Sequence, residues 1–264
     1  MQDHRFAGKT VLPAVESLRH LAGAAVDFQK DLTGRVMGNA VFGKFLEIFP
    51  GQTRLEVTVK LESLGRHGCR ARLATKKTIG SSNISRTMEH ADVCFYKNSK
   101  CLKIPEPESG EDFSDFFRVS APKIYDELVP FGPQFHNLTG DVKLSESGVE
   151  AKILVPRRPE AEGVFGSVFV LDAAFHAASV WVQRYRGFVG FPVSFGFRVI
   201  ADPADPGEIC SALLIPLCPE VRKQSFDIWI RGSDGRICEY VKEMGMRDVF
   251  AGRKNPPAWI KSLA

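Results

Sequence analysis

No apolar run in this 264-residue chain approaches the ~18 residues that a membrane-spanning helix requires, so no span is expected. Asp3, His4, Arg5 and Lys9 crowd the first ten residues, which excludes the apolar centre of a secretory signal. The six cysteines, at positions 69, 94, 101, 210, 218 and 238, form no CxxC pair and no His/Cys cluster of zinc-finger spacing. Most lie in apolar or alternating runs, so buried reduced thiols are expected. Charge of one sign is scarce too. A net charge of +4, spread along the chain, is too small to point to nucleic acid, although an acidic protein partner would suit it. What remains is a cytoplasmic globular protein of one large domain or two modest ones.

What is present divides into two halves of the same order. Val15, Leu18, Ala22 and Ala25/Val26 recur at helical spacing between Pro13 and Phe28, and Pro13 suits the first helical position, where its missing N–H has no partner anyway. Leu55, Val57, Val59 and Leu61 then alternate with polar residues, as in a strand with one wet face. Further strands are expected at 35–49, 68–79 and 85–97. The segment 104–112, rich in proline and acid, reads as a boundary. Beyond it come strands near 138–146 and 149–155, and a helix over 171–183 that is apolar nearly all round and therefore buried. Strands at 191–200, 208–216, 223–232 and 236–247 follow, the last two joined at Ser233-Asp234-Gly235-Arg236 by an expected type I′ turn. A helix plus antiparallel strands, stated twice, suggests a tandem α+β duplication, although no residue-level repeat is visible.

Two segments carry chemistry. His4, Gly8 and Pro13 stand at the mouth of the first helix. Asp172 and His176 are four residues apart, hence on one face of the second. The bland readings are a surface histidine, an aspartate that merely caps its helix, and a satisfied core histidine. Asp172 and His176 could give two metal ligands, but no third is placed, so no metal site is expected. His20, His67, His90 and His136 have no motif around them.

Taken in order, these landmarks resemble the dehydratase domains of polyketide and polyunsaturated fatty acid synthases. His4-x-x-x-Gly8-x-x-x-x-Pro13 is similar to that family's HxxxGxxxxP motif, and Asp172-x-x-x-His176 to its DxxxQ/H motif. Phe131-Gly132-Pro133-Gln134-Phe135 is similar to YGPxF, and Phe191-Pro192-Val193-Ser194 to LPxS. The resemblance runs over residues 3–247. Two features depart from it. Relatives carry a few dozen residues before the histidine motif, so the first unit here is expected to lack edge strands or to borrow them. Phe131 stands where the family has tyrosine.

The resemblance implies an α+β double hotdog, with one hotdog over 1–104, a linker at 105–120 and a second hotdog over 121–264. It implies dehydration of a 3-hydroxyacyl thioester to the trans-2-enoyl form. His4 would be the base, Asp172 the acid and His176 the residue that orients the acid. Gly8, Pro13, Phe131, Gly132 and Pro133 would contact substrate. An imidazole titrates near 6.5 and offers a neutral base at physiological pH. An aspartate needs an apolar setting to hold a proton, which Leu171, Ala173, Ala174 and Phe175 offer. No cofactor is implied beyond the phosphopantetheine that carries the substrate. The implied partners are acyl carrier protein, for which Lys76-Lys77, Arg157-Arg158 and Arg184/Arg186 are candidate contacts, and a second copy or other synthase subunits. Two alternatives stay open: a related double-hotdog cyclase or isomerase, and a non-catalytic acyl-binding or scaffold subunit.

Overall fold

A short hairpin, β1 (Arg5–Phe6) and β2 (Lys9–Val11), leads into helix α1 (Ala14–Phe28). Strands β3 (Val36–Phe42), β4 (Glu47–Ile48), β5 (Thr58–Ser63), β6 (Gly68–Thr78) and β7 (Ser85–Tyr96) complete the first half. The second half opens with β8 (Phe117–Ser120), a helical turn α2 (Ala121–Lys123) and a π-turn at Ile124–Leu128. It continues with β9 (Leu138–Ser145), β10 (Gly148–Leu154), helix α3 (Val168–Tyr185) and β11 (Gly190–Ile200). It closes with β12 (Ile209–Pro216), β13 (Lys223–Arg231), β14 (Ile237–Asp248) and α4 (Ala258–Lys261). This computed structural model describes residues 3–6, 8–52, 54–78, 85–97, 103–107, 116–158, 165–217 and 220–261.

The two long helices form for different reasons. In α1 one stripe (Val15, Leu18, Leu21, Ala22, Ala25) is buried, and the helix is held by that amphipathic face. Pro13 is its N-cap rather than its first helical residue, and its carbonyl accepts from the amides of Glu16 and Ser17 at 3.1 and 3.2 Å. The expected position was one residue too far in. Helix α3 is buried on every side from Val168 to Gln183, as its unbroken apolar character requires. Gly187, at φ +70° just past its C-cap Arg186, turns the chain out of the helix. Each buried Val, Leu or Phe contributes roughly 1.5–3 kcal/mol.

Eleven antiparallel strands in the order β5-β6-β7-β3-β11-β14-β13-β12-β10-β9-β8 wrap both helices. Helix α1 packs on β5, β6 and β7, and α3 chiefly on β9, β10 and β11. The halves join where β3 pairs with β11, with Phe195 opposite Ala40 and Arg198 opposite Met37. The helices also pack on each other. This is a double hotdog. Among the described residues, four strands of the large sheet come from the first half and seven from the second.

Several boundaries differ from expectation. The 35–49 segment splits: β3 stays in the large sheet, while β4 leaves it to pair with β2 in a separate sheet with β1. The alternating segment pairs only from Thr58, because it is an edge strand and β6 covers it on one side alone. Strand β8 begins inside the expected linker, and Ile104–Glu106 lie on the second half: Pro105 O accepts from Trp229 Nε1 at 2.7 Å, and Glu106 pairs with Arg231 at 2.6 Å. The β13–β14 turn is not type I′. Only Gly235 takes positive φ (+88°), with Gly235 N bonding Gly232 O and Gly232 N bonding Arg236 O, a type I turn closed by a glycine bulge. Cys69, Cys210 and Cys238 are buried and free, Cys94 is free and half-buried, and Cys101 and Cys218 lie outside the described residues.

Candidate active site

The β1–β2 hairpin carries His4 into the interior. Its backbone carbonyl accepts from Val11 N at 3.0 Å, and its Nδ1 lies 3.1 Å from Val11 O. A carbonyl can only accept, so Nδ1 carries the proton and Nε2 keeps its lone pair. The ring stacks on Phe131 at 4.0 Å and meets Phe135 edge-on at 5.2 Å. His4 is 8% exposed. Burial pushes its imidazole down to about 4; the nearby Asp172 carboxyl opposes that shift, and His176 adds to it. The imidazole is therefore neutral at neutral pH.

Asp172 is the fifth residue of α3, not its cap; Ser167 holds the N-cap position. The carboxyl is buried, and Oδ2 lies 3.1 Å from His176 Nε2. The two atoms are close but not aligned for a hydrogen bond. Asp172 Oδ2 and both His176 ring nitrogens are buried without hydrogen-bond partners among the described residues. The expected hydrogen bond that orients the acid is thus a close contact instead. Leaving such atoms unpaired costs about 1–3 kcal/mol each, and a ligand that fills the cavity can complete the set.

His4, Phe131, Asp172 and His176 line one cavity of about 990 Å³. His4 comes from the first hotdog and Asp172 from the second, and Phe131 bridges them, stacked on His4 and 5.2 Å from His176. Phe131 is held by His136, which Tyr125 backs in turn, and the sequence singled out neither. His136 Nε2 donates to Phe131 O at 2.7 Å, and Tyr125 stacks on His136 at 4.1 Å while meeting His176 edge-on.

The remaining expected contacts do not line the cavity. Gly8 is exposed in the β1–β2 turn at φ +78°, with nothing within 4 Å of a Cβ built there; the turn needs a glycine there, not the substrate. Pro13 caps α1, and it is Leu12, Ala14 and Ser17 that reach the cavity. Gly132 packs on Asp3, where a Cβ would come within 2.5 Å of the Asp3 side chain. Pro133 is exposed at the start of a 3-10 turn. Gly132 N and Gln134 N donate to Asp3 O and Oδ2. Those three residues therefore anchor the segment that places His4 and Phe131.

Ser179 and Gln183, one and two further turns along the face of α3 that holds Asp172 and His176, also line the cavity, as does His90. The +7 and +11 spacing from Asp172 was the available signal for the first two. Both nitrogens of His90 are engaged, with Lys44 O and Thr75 Oγ1. Arg184 stacks on Phe117, and Arg186 bonds Gln224, so the fold itself occupies both. Exposed cations at the cavity are Arg5, Lys44, Arg247, Arg253 and Lys254. Among the described residues no group of three His, Cys, Asp or Glu could hold a metal, and no helix is long and apolar enough to cross a membrane.

Solved structures share this fold. The dehydratase domain of RzxB from Pseudomonas fluorescens superposes with a TM-score of 0.71 at 13% identity, covering 91% of this chain and 86% of that one. The fold is that of polyketide synthase dehydratase domains. The dehydratase domain from the CurJ module of the curacin synthase gives 0.70 at 17% identity, covering 93% of this chain and 85% of that one. The dehydratase domain of PpsC from Mycobacterium tuberculosis, solved with C12:1-CoA, gives 0.63 at 14% identity over 91% and 85%. No protein-family model and no curated protein matches this dehydratase-fold chain by sequence.

Proposed function

We propose that the protein dehydrates 3-hydroxyacyl thioesters to trans-2-enoyl thioesters. One observation carries this reading: a neutral histidine with a free Nε2 lone pair and a buried carboxyl, whose Oδ2 has no partner among the described residues, come from opposite hotdogs to one cavity. The proton on C2 passes to His4 Nε2, and its bonding pair becomes the C2–C3 double bond. The C3–O bond breaks, and the oxygen leaves as water with a proton from Asp172. The amides at the start of α1, beside the lining residue Ala14, suit the developing negative charge on the thioester carbonyl. Phe131 walls the histidine and supplies no hydroxyl.

The neighbour solved with C12:1-CoA supports a thioester as the ligand class. An acidic carrier protein as the donor of that thioester is supported by the exposed Lys44, Arg247 and Arg253 at the cavity. The test is direct. A 3-hydroxyacyl pantetheine thioester is supplied and loss of water is followed by mass. Wild type is expected to turn over, with His4→Ala and Asp172→Asn each at least 100-fold slower. Near-wild-type rates in both variants would refute the mechanism, and tight binding without turnover would leave an acyl-binding subunit.

A further inference from the structure

Beyond the acid the cavity continues along α3. Ser179 and Gln183 lie seven and eleven residues past Asp172, about 10 and 16 Å along the helix axis at 1.5 Å per residue, and both line the cavity with Ser17 of α1. All three side chains are buried, Gln183 at 1% exposure. The Gln183 amide has a defined orientation. Its Nε2 donates to Leu128 O at 3.2 Å and lies 3.5 Å from Ser179 Oγ, whose own proton goes to Gly190 O at 3.1 Å. Leu128 O cannot donate, so the amide nitrogen must face it, and Oε1 is left as an acceptor. Among the described residues no protein donor meets that oxygen, and none engages the Ser17 hydroxyl.

We propose that Gln183 Oε1, assisted by the Ser17 hydroxyl, holds a hydrogen-bond donor of the bound substrate, an inference that rests on the thioester reading above. A lone carbonyl does not fit, because it would set acceptor against acceptor. A thioester on a carrier arm has two sources of such a donor: a hydroxyl farther along the acyl chain, or an amide N–H of the pantetheine. An acceptor that faces the cavity discriminates against ligands that cover it without offering a donor, since Oε1 is then left unpaired. Gln183 is thus a specificity-determining residue remote from the reacting carbons.

Binding of saturated thioesters, which have no 3-hydroxyl to lose, isolates this contact from turnover. Dissociation constants are measured by calorimetry for two pairs: an acylpantetheine with and without a distal hydroxyl, and one acyl chain on pantetheine and on propanethiol. Wild type is expected to prefer the donor-bearing member of one pair by about tenfold. Gln183→Met should reduce that preference to within twofold, and Ser17→Ala, which leaves the Leu128 contact intact, should reduce it partly. Collapse in the first pair identifies the acyl hydroxyl, and collapse in the second the amide. No preference in wild type, or a preference that both variants retain, overturns the proposal. Turnover without donor preference overturns it alone; donor-dependent binding without turnover overturns the dehydratase reading alone.

Discussion

Acidification to pH 5 separates two pictures of His4, the proposed base. A histidine with an ordinary value near 6.5 would be about 3% neutral there, whereas one at about 4 stays roughly 90% neutral. Burial holds His4 at about 4, and kcat/KM reports the groups of the free enzyme. The acid limb attributable to this base is therefore expected near pH 4, with little loss at pH 5. The same shift appears in stability. The unfolded chain takes up the proton near 6.5 and the folded chain only near 4, so between these values the unfolded state binds more protons. Stability contributed by neutral His4 is full above 6.5 and is lost as pH falls towards 4. At 8% exposure solvent screening discounts this little, and a shift of about 2.5 units corresponds to about 3 kcal/mol. Urea denaturation at pH 7 and pH 4 should show a drop about 3 kcal/mol smaller in His4→Gln than in wild type. An acid limb near 6.5, or an identical loss of stability in both proteins, refutes the reasoning.

Gly132→Ala would drive a methyl group to within 2.5 Å of the Asp3 side chain and 2.9 Å of its Cα, pushing aside the anchor next to His4. It is expected to cost about 1–3 kcal/mol and to lower kcat/KM further than the stability loss explains; unchanged values in both thermal melts and kinetics would show that Asp3 yields freely. At the seam of the halves, Arg198 and Glu239 form a buried pair at 2.7 Å, 0% and 4% exposed at the side chains. Glu239→Leu alone is expected to cost about 3–5 kcal/mol by stranding the guanidinium, while Arg198→Met with Glu239→Leu recovers most of it. Equal losses in the single and double variants, read by urea denaturation, would contradict this.

Much of this protein was legible in the residues themselves. Periodicity located α1, α3 and most strands of the large sheet, because those patterns depend on which faces are buried, but it missed the short β1, β2 and β8. The spacing of Asp172 and His176 placed them on one helical face. The separate roles of Gly8, Gly132 and Pro133 were not legible, since a glycine needed for a turn and a glycine needed by a substrate look alike in one dimension. Gly132 is explained by Asp3, 129 residues away in the chain, and His136 by the Phe131 carbonyl it holds.

The sequence alone thus determined the local elements, the duplicated order and the identity of the ionisable side chains, all of which follow from short-range pattern. Tertiary structure decided that His4 and Asp172 share a cavity, that the His4 imidazole is stripped of water and kept neutral, and that Gln183 offers an acceptor that no donor among the described residues meets. Burial and orientation are set by residues brought together from both halves, and no spacing within either half encodes them.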